Sequence, residues 1–299
     1  MEFAFFIEVL AGGLLAGVMY SLVALGFVLI YKASGVFNFA QGAMVFFAAL
    51  TFVSLLERGI NVWLALVITL AVMVVLGLAI EKVVLRPLVN QPPITLFMAT
   101  IGLTFVLEGL SQLVWGSQPH GLELGIPDVP MEWLSQKTNI NISQFDLFAA
   151  GVAGILVAVL AVFFQKTRIG RALRAVADDH QAALAVGIPL KQIWGIVWAV
   201  AGFVALVAGL MWGVRNGVQY ALTFVALKAL PVLILGGFES IAGAIVGGLI
   251  IGASEKLAEV YLGPFVGGGI ESWFAYVIAL LFLLVRPQGL FGEKIIERV

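Results

Sequence analysis

The chain has 299 residues, 62% hydrophobic and 11% charged, with a formal net charge of -1; soluble domains run about 45–50% apolar and about 25% charged. With 34 glycines and a mean hydropathy of +1.11, this composition excludes an ordinary soluble domain and fits a helical membrane protein, in which glycine is frequent. The lack of cysteine excludes thiolate catalysis, disulfides and cysteine-held metals, and the near-neutral charge gives no basis for a nucleic-acid partner.

The N-terminal stretch MEFAFFIE holds two acids and no Lys or Arg, and its apolar run continues to Tyr31. A cleaved signal has a basic start and a shorter apolar core, so this run reads as the entry to a retained first span. A span needs roughly 20 apolar residues. Spans are expected near Val9–Tyr31, Phe39–Leu56, Val62–Ile80, Ile94–Trp115, Phe145–Phe164, Ile193–Gly213, Leu222–Gly236, Ser240–Ala258 and Trp273–Val285. The Leu222 segment is short for a crossing and the Phe39 segment is marginal. The expected fold is therefore all-α: a polytopic integral membrane helical bundle of about nine segments, forming one transmembrane domain over residues 1–299.

Orientation follows from Lys and Arg placement, which favours the cytoplasmic side. With the N-terminus outside, the inner connections hold Lys32, Lys82, Arg86, Lys166, Arg168, Arg171, Arg174, Lys191, Arg286, Lys294 and Arg298. The outer ones hold only Arg58, Lys137, Arg215 and Lys256, and Lys228 falls inside a span. Trp63, Trp115, Trp212, Tyr220 and Trp273 lie at the outer ends, where interfacial aromatics are expected. The C-terminus is then cytoplasmic. The outer loop Gly116–Gln144 is too short for a catalytic domain and reads as a connector or a docking cap.

A long span followed by a short one occurs twice, at Val9–Tyr31 with Phe39–Leu56 and at Ile193–Gly213 with Leu222–Gly236. The two long spans run in opposite directions, which suggests an inverted repeat with short or broken helices around a central path.

No Walker A sequence, HExxH motif or Ser–His–acid arrangement is present, and His120 and His180 fall on opposite sides of the membrane. The chain is not expected to be an enzyme, and no cofactor or metal is implied. The path candidates are polar residues in apolar surroundings. Asn38 and Gln41 flank the start of a short segment in GVFNFAQGAM, either facing a polar path or capping and bonding between helices. Glu108 and Lys228 lie inside spans, where ionisable residues usually face the bundle interior or water. Contact with a charged substrate or coupling ion competes there with mutual pairing, snorkelling of Lys228, or a protonated Glu108. Thr100 is a further candidate, although Thr95, Thr100 and Thr104 can each bond back to their own helix. Glu239 and Ser240 follow a break expected around Pro231, Gly236 and Gly237, and they cap the next helix. The pairs Gly13/Gly17, Gly243/Gly247 and Gly248/Gly252 are GxxxG motifs that allow close helix packing.

The polar stretch Gln165–Lys191 interrupts this apolar chain. Ile169, Leu173, Val176 and Ala177 recur at helical spacing and leave Arg171, Arg174, Asp178 and Gln181 on another face. One amphipathic helix is expected, capped by Thr167 and ended by Gly187 and Pro189. It docks on a protein partner or lies on anionic lipid; Asp178 and Asp179 count against lipid. Arg174 to Asp178 is an i,i+4 pair in the poorer orientation.

Four stretches together resemble the permease subunit of branched-chain amino acid ABC importers, the LivH type: GVMYSLVALGFVLIYKASGVFNFAQGAM, LRPLVNQPPITLFMATIGLTFVLEGL, GRALRAVADDHQAALAVGI and LGGFESIAGAIVGG. The resemblance implies an inner-membrane subunit working by ATP-driven alternating access. It further implies two ATP-binding cassette subunits, a second related permease and an external substrate-binding protein as partners. Gly170–Ile188 corresponds to the family's coupling segment, which makes Gly170, Arg171, Arg174, Ala175, Asp178, Asp179, Ala182 and Gly187 the candidate coupling residues. Substrates across the wider family include branched-chain and other amino acids, urea and short amides. The rival readings are an ion-coupled transporter using Glu108, a membrane enzyme and a passive channel.

Overall fold

The computed structural model describes residues 2–88, 91–138, 140–178 and 180–292, which form helices and turns with no β-strand. In chain order the helices are α1 (Glu2–Ser34), α2 (Gln41–Glu57), α3 (Val62–Ala79), α4 (Pro93–Trp115), α5 (Glu132–Thr138), α6 (Gln144–Lys166), α7 (Arg168–Asp178), α8 (His180–Ala185), α9 (Leu190–Asn216), α10 (Val225–Gly236), α11 (Ile241–Tyr261), α12 (Gly263–Val266) and α13 (Phe274–Val285). Among them α1, α3 with its extension to Leu88, α4, α6, α9 and α11 are long and apolar enough to cross a membrane. Three shorter apolar helices, Gln41–Glu57, Tyr220–Gly236 and Phe274–Val285, fill the remaining expected segments.

The described residues form two compact units. One comprises Leu25–Leu122 and Val159–Leu227. Its centre is α2, in which every residue from Gln41 to Ser54 is buried. That burial explains how a helix of 17 residues, about 26 Å long at about 1.5 Å per residue, can be so apolar: protein surrounds it rather than lipid. α3, α4 and α9 pack against it. Glycines set the close approaches. A Cβ at Gly209 would lie 2.6 Å from the Val45 carbonyl oxygen, and one at Gly77 2.6 Å from that of Trp198. The opposite flanks of α3 and α4 expose Val67, Val75, Phe105 and Leu113, the apolar face a bilayer would cover. Trp63 is exposed as an interfacial anchor should be, whereas Trp212 is buried in the protein.

α3 passes into a π-helix (Ile80–Leu85) and a 3-10 turn (Arg86–Leu88). The widened turn brings Arg86 back onto the buried Glu81 carboxylate, with Nε and Nη2 donating at 3.1 and 2.7 Å.

The other unit comprises the described parts of Met1–Ala24, Glu123–Ala158 and Lys228–Val299. Its α1–α11 crossing uses the expected glycine motifs. A Cβ at Gly17 would lie 2.5 Å from the Gly248 carbonyl oxygen, and one at Gly252 2.4 Å from that of Gly13. Gly236 and Gly243 approach each other in the same way. The expected break falls later than Pro231: α10 runs through that proline and stops at Gly236, and Gly237 takes φ +101. The chain after α13 is tied to this stop by Leu290 N–H to Leu235 O and Phe291 N–H to Gly236 O. In the 123–158 segment, the Glu8 carboxylate accepts the Asn141 backbone N–H at 2.8 Å and fastens it to α1.

Along Gln165–Lys191, α6 continues to Lys166, α7 covers Arg168–Asp178 and α8 covers His180–Ala185, with Asp179 outside the described residues. Thr167 is the cap that was expected, its Oγ1 accepting the Gly170 N–H at 3.1 Å. What sequence periodicity does not reveal is that Gly170 presses on the last turns of α6. Gly187, at φ +83, ends the segment.

Candidate functional site

The first group of candidates lies where the chain enters α2. Asn38 and Gln41 are fully buried and Thr100 nearly so. Asn38 Oδ1 accepts the Ala40 N–H at 3.1 Å, and its Nδ2 donates to Gln41 Oε1 at 3.3 Å. Thr100, on α4, accepts the Phe39 N–H at 3.3 Å, and its own hydroxyl faces the carbonyls of Phe97 at 2.9 Å and Phe37 at 3.2 Å. These residues therefore stitch the α2 entrance to α4. Gln41 is different, because its Nε2 is buried without a hydrogen-bond partner. A Cβ on Gly26 would come 2.5 Å from that nitrogen, so the amide is sealed by packing on one side. A buried unpaired amide is costly. The same entrance meets the second short segment: a Cβ at Gly42 would lie 2.1 Å from the Thr223 carbonyl oxygen.

Glu108 is 8% exposed and accepts from the Tyr220 hydroxyl at 3.3 Å. Tyr220 stands edge-on to Phe46 and Phe224, with centroids 6.4 and 5.7 Å away. A carboxylate, a phenol and aromatic edges thus converge beside the 3-10 turn that opens the second short segment. Glu57 and His120 form a further acid–base contact at 2.7 Å, with His120 and Val218 exchanging backbone hydrogen bonds at 3.0 and 2.9 Å.

Glu108 and Lys228 do not pair with each other. Lys228 bonds instead to Glu255 Oε1 at 3.1 Å, which also accepts the Tyr20 hydroxyl at 3.2 Å. Glu255 and Tyr20 are absent from the sequence candidates. Glu255 lies inside an expected span and obeys the rule that singles out Glu108; Tyr20 carries no such signal. Ser240 caps α11 by accepting the Gly243 N–H at 2.9 Å, and Glu239 is exposed in the turn before it.

Of the coupling candidates, Gly170, Arg171 and Arg174 lie against the end of α6. Arg174 Nη1 donates to Phe164 O at 2.6 Å and its Nη2 to Gln165 O at 3.2 Å. Arg171 Nη1 reaches Lys166 O at 3.4 Å. Both arginines thus serve terminal carbonyls of α6, where cations are favourable. Ala175 is half-buried in α7, Ala182 exposed in α8 and Gly187 exposed at the exit. Asp178 closes α7, its side chain lying outside the described residues, as does the whole of Asp179. Leu184 in α8 and Val186 just beyond it are 55% and 76% exposed. Among the described residues no group of His, Asp or Glu could hold a metal ion.

The family model described as branched-chain amino acid transport system / permease component matches residues 9–286. The chain is similar to the high-affinity branched-chain amino acid transport system permease protein LivH of Escherichia coli (strain K12), at 28% identity over 100% of this chain and 99% of that one. It is 28% identical to the corresponding protein BraD of Pseudomonas aeruginosa, with the same coverage. It is 25% identical to the fructose import permease protein FruF of Bifidobacterium longum, over 90% of this chain and 75% of that one. Among solved structures, PsaBC from Streptococcus pneumoniae in complex with Fab matches 97% of this chain and 98% of its own with a TM-score of 0.51 at 14% identity, a likeness of fold alone.

Proposed function

Because the chain belongs to the family of branched-chain amino acid transport system permease components, we propose that it is the membrane-spanning subunit of an ATP-driven importer of branched-chain or related amino acids. It sits in a bacterial inner membrane with its N-terminus outside and its C-terminus cytoplasmic. It works beside a second related permease, two ATP-binding cassette subunits that hydrolyse ATP, and an external substrate-binding protein. Residues 1–299 act as one permease domain, and 165–191 are its coupling segment.

The observation that carries this reading is the construction of α7 and α8. A polar helical pair is inserted between two apolar spans. It is fastened to α6 through Gly170 and Arg174, and it packs on α9. A push on such a pair moves the ends of two spans together. Its free apolar tips, Leu184 and Val186, suit insertion into a groove of a partner. Alternating access follows if ATP-driven closure of the cassettes displaces this pair and the bundle reopens its path on the other side.

The test is uptake of radiolabelled leucine by vesicles holding the complete transporter. Uptake is expected only with ATP on the cassette side and the binding protein on the other. Uptake by this chain alone, driven by a proton gradient, would overturn the reading in favour of an ion-coupled carrier.

Glu108 supplies a further expected result. Glu108→Gln keeps an acceptor for Tyr220 and a similar volume, so the complex assembles. Its leucine uptake falls severalfold, because a carboxylate contact is roughly twice as strong as a neutral one. Unchanged kinetics would assign Glu108 to packing.

A further inference from the structure

We propose that Lys228, held by Glu255 and Tyr20, receives the carboxylate of the transported amino acid. The inference rests on the permease reading and adds a residue and a ligand chemistry to it.

Lys228 lies in the apolar helix α10 and Glu255 in the apolar helix α11. The Glu255 side chain is 3% exposed and that of Lys228 35%. Taking both charges out of water is costly, and an apolar pair of similar volume would serve packing equally well. An ion pair held between apolar helices of a membrane protein therefore points to use. The geometry says what use. An ammonium carries three N–H donors. One meets Glu255 Oε1 at 3.1 Å, and the group stands 5.9 Å from the centroid of the Tyr20 ring. No other acceptor bonds Lys228 among the described residues, and the hydrocarbon core of a bilayer supplies none. A snorkelling lysine extends toward the interface; this one reaches inward to a buried acid. Its exposed side, with donors still open, faces a surface that must be wet or occupied by a polar ligand.

A substrate carboxylate is isosteric with the acid that Lys228 already binds. Glu255 acts as the resident partner that keeps the ammonium paired when the site is empty. An arriving carboxylate takes the open donors. The Tyr20 hydroxyl, 3.2 Å from the same Oε1, keeps Glu255 hydrogen-bonded while the lysine turns. An amino-acid amide, which has no carboxylate, would gain nothing from this exchange.

Two measurements on the complete reconstituted transporter test this. The first uses the native chain: lysine-selective acylation during ATP-driven turnover, mapped by mass spectrometry. Leucine is expected to protect Lys228 and leucinamide is not; equal modification with and without leucine would overturn the proposal. The second uses the double variant Lys228→Met with Glu255→Met, which removes both charges without orphaning either. It is expected to assemble and hydrolyse ATP while leucine uptake falls about tenfold or more, the loss that goes with one charge-assisted hydrogen bond. Native uptake in that variant would make the pair structural and overturn the proposal; if the variant does not assemble, the acylation result decides. Failure of the native complex to take up leucine with ATP would instead defeat the permease reading itself.

Discussion

Gly170→Ala is expected to uncouple the transporter. A Cβ at this position would lie 1.9 Å from the Phe164 carbonyl oxygen, 2.4 Å from its carbon and 2.6 Å from the Phe164 Cα. All three are backbone atoms of α6 and cannot rotate away. α7 must therefore lift from α6, and Arg174 then loses its bonds to the carbonyls of Phe164 and Gln165. Overpacking of this kind typically costs about 1–3 kcal/mol, and here it falls on the contact proposed to carry motion rather than on the bundle. ATP-driven uptake should fall about tenfold or more, as a clamp weakened by that amount loses its closed population. The thermal midpoint of the assembled complex should change little. Gly102→Ala is the control. It is also a helical glycine, but a Cβ there meets nothing within 4 Å, so uptake should stay native. Native uptake in Gly170→Ala would mean that α7 does not transmit motion through α6.

Gly252→Leu is expected to act on assembly. At the α1–α11 crossing, a Cβ at Gly252 would come 2.4 Å from the Gly13 carbonyl oxygen and 2.5 Å from the Gly17 Cα, and one at Gly248 2.0 Å from Ser21 Oγ. Ser21 bonds the carbonyls of Gly17 at 2.9 Å and Ile245 at 3.3 Å, so it joins the two helices. A leucine must push the backbones apart along this whole seam. The cost should exceed the about 1–3 kcal/mol typical of core overpacking, since interhelical packing and hydrogen bonds are what hold membrane helices together. The amount of folded chain recovered from the membrane should drop severalfold, and what remains should melt earlier. Gly12→Leu, where a Cβ meets nothing within 4 Å, should not share this defect. Equal recovery of Gly252→Leu and the native chain would remove the crossing from the account.

These two glycines mark how far the sequence can be read. Gly252 is legible because GxxxG is a local pattern with a known use, although its partner on α1 is not. Gly170 is not legible: it lies in an amphipathic pattern that reads as a continuous helix, and the backbone it touches belongs to the preceding helix. Periodicity gives the face of a helix and is silent about where one helix leans on another. The same limit hides the polar contacts. Lys228 and Glu108 stand out by their cost in an apolar segment, but their partners Glu255 and Tyr220 lie 27 and 112 residues away. Arg174 has a use that its position on a polar face does not reveal, since its guanidinium donates to the terminal carbonyls of α6. α2 was marginal by length, and burial on all sides explains its composition.

In the proposed importer, α7, α8 and the turn beyond them meet an ATP-binding cassette subunit. Because the chain has no cysteine, Val186→Cys, at a residue 76% exposed, places a single thiol at the tip of the segment. A short thiol-directed photocrosslinker attached there, in the complete complex in native membranes, is predicted to join this chain to the ATP-binding subunit. The yield should change when ATP is bound. Crosslinks to lipid alone, with the ATP-binding subunit captured instead from a thiol placed by Trp133→Cys in α5, would contradict the account.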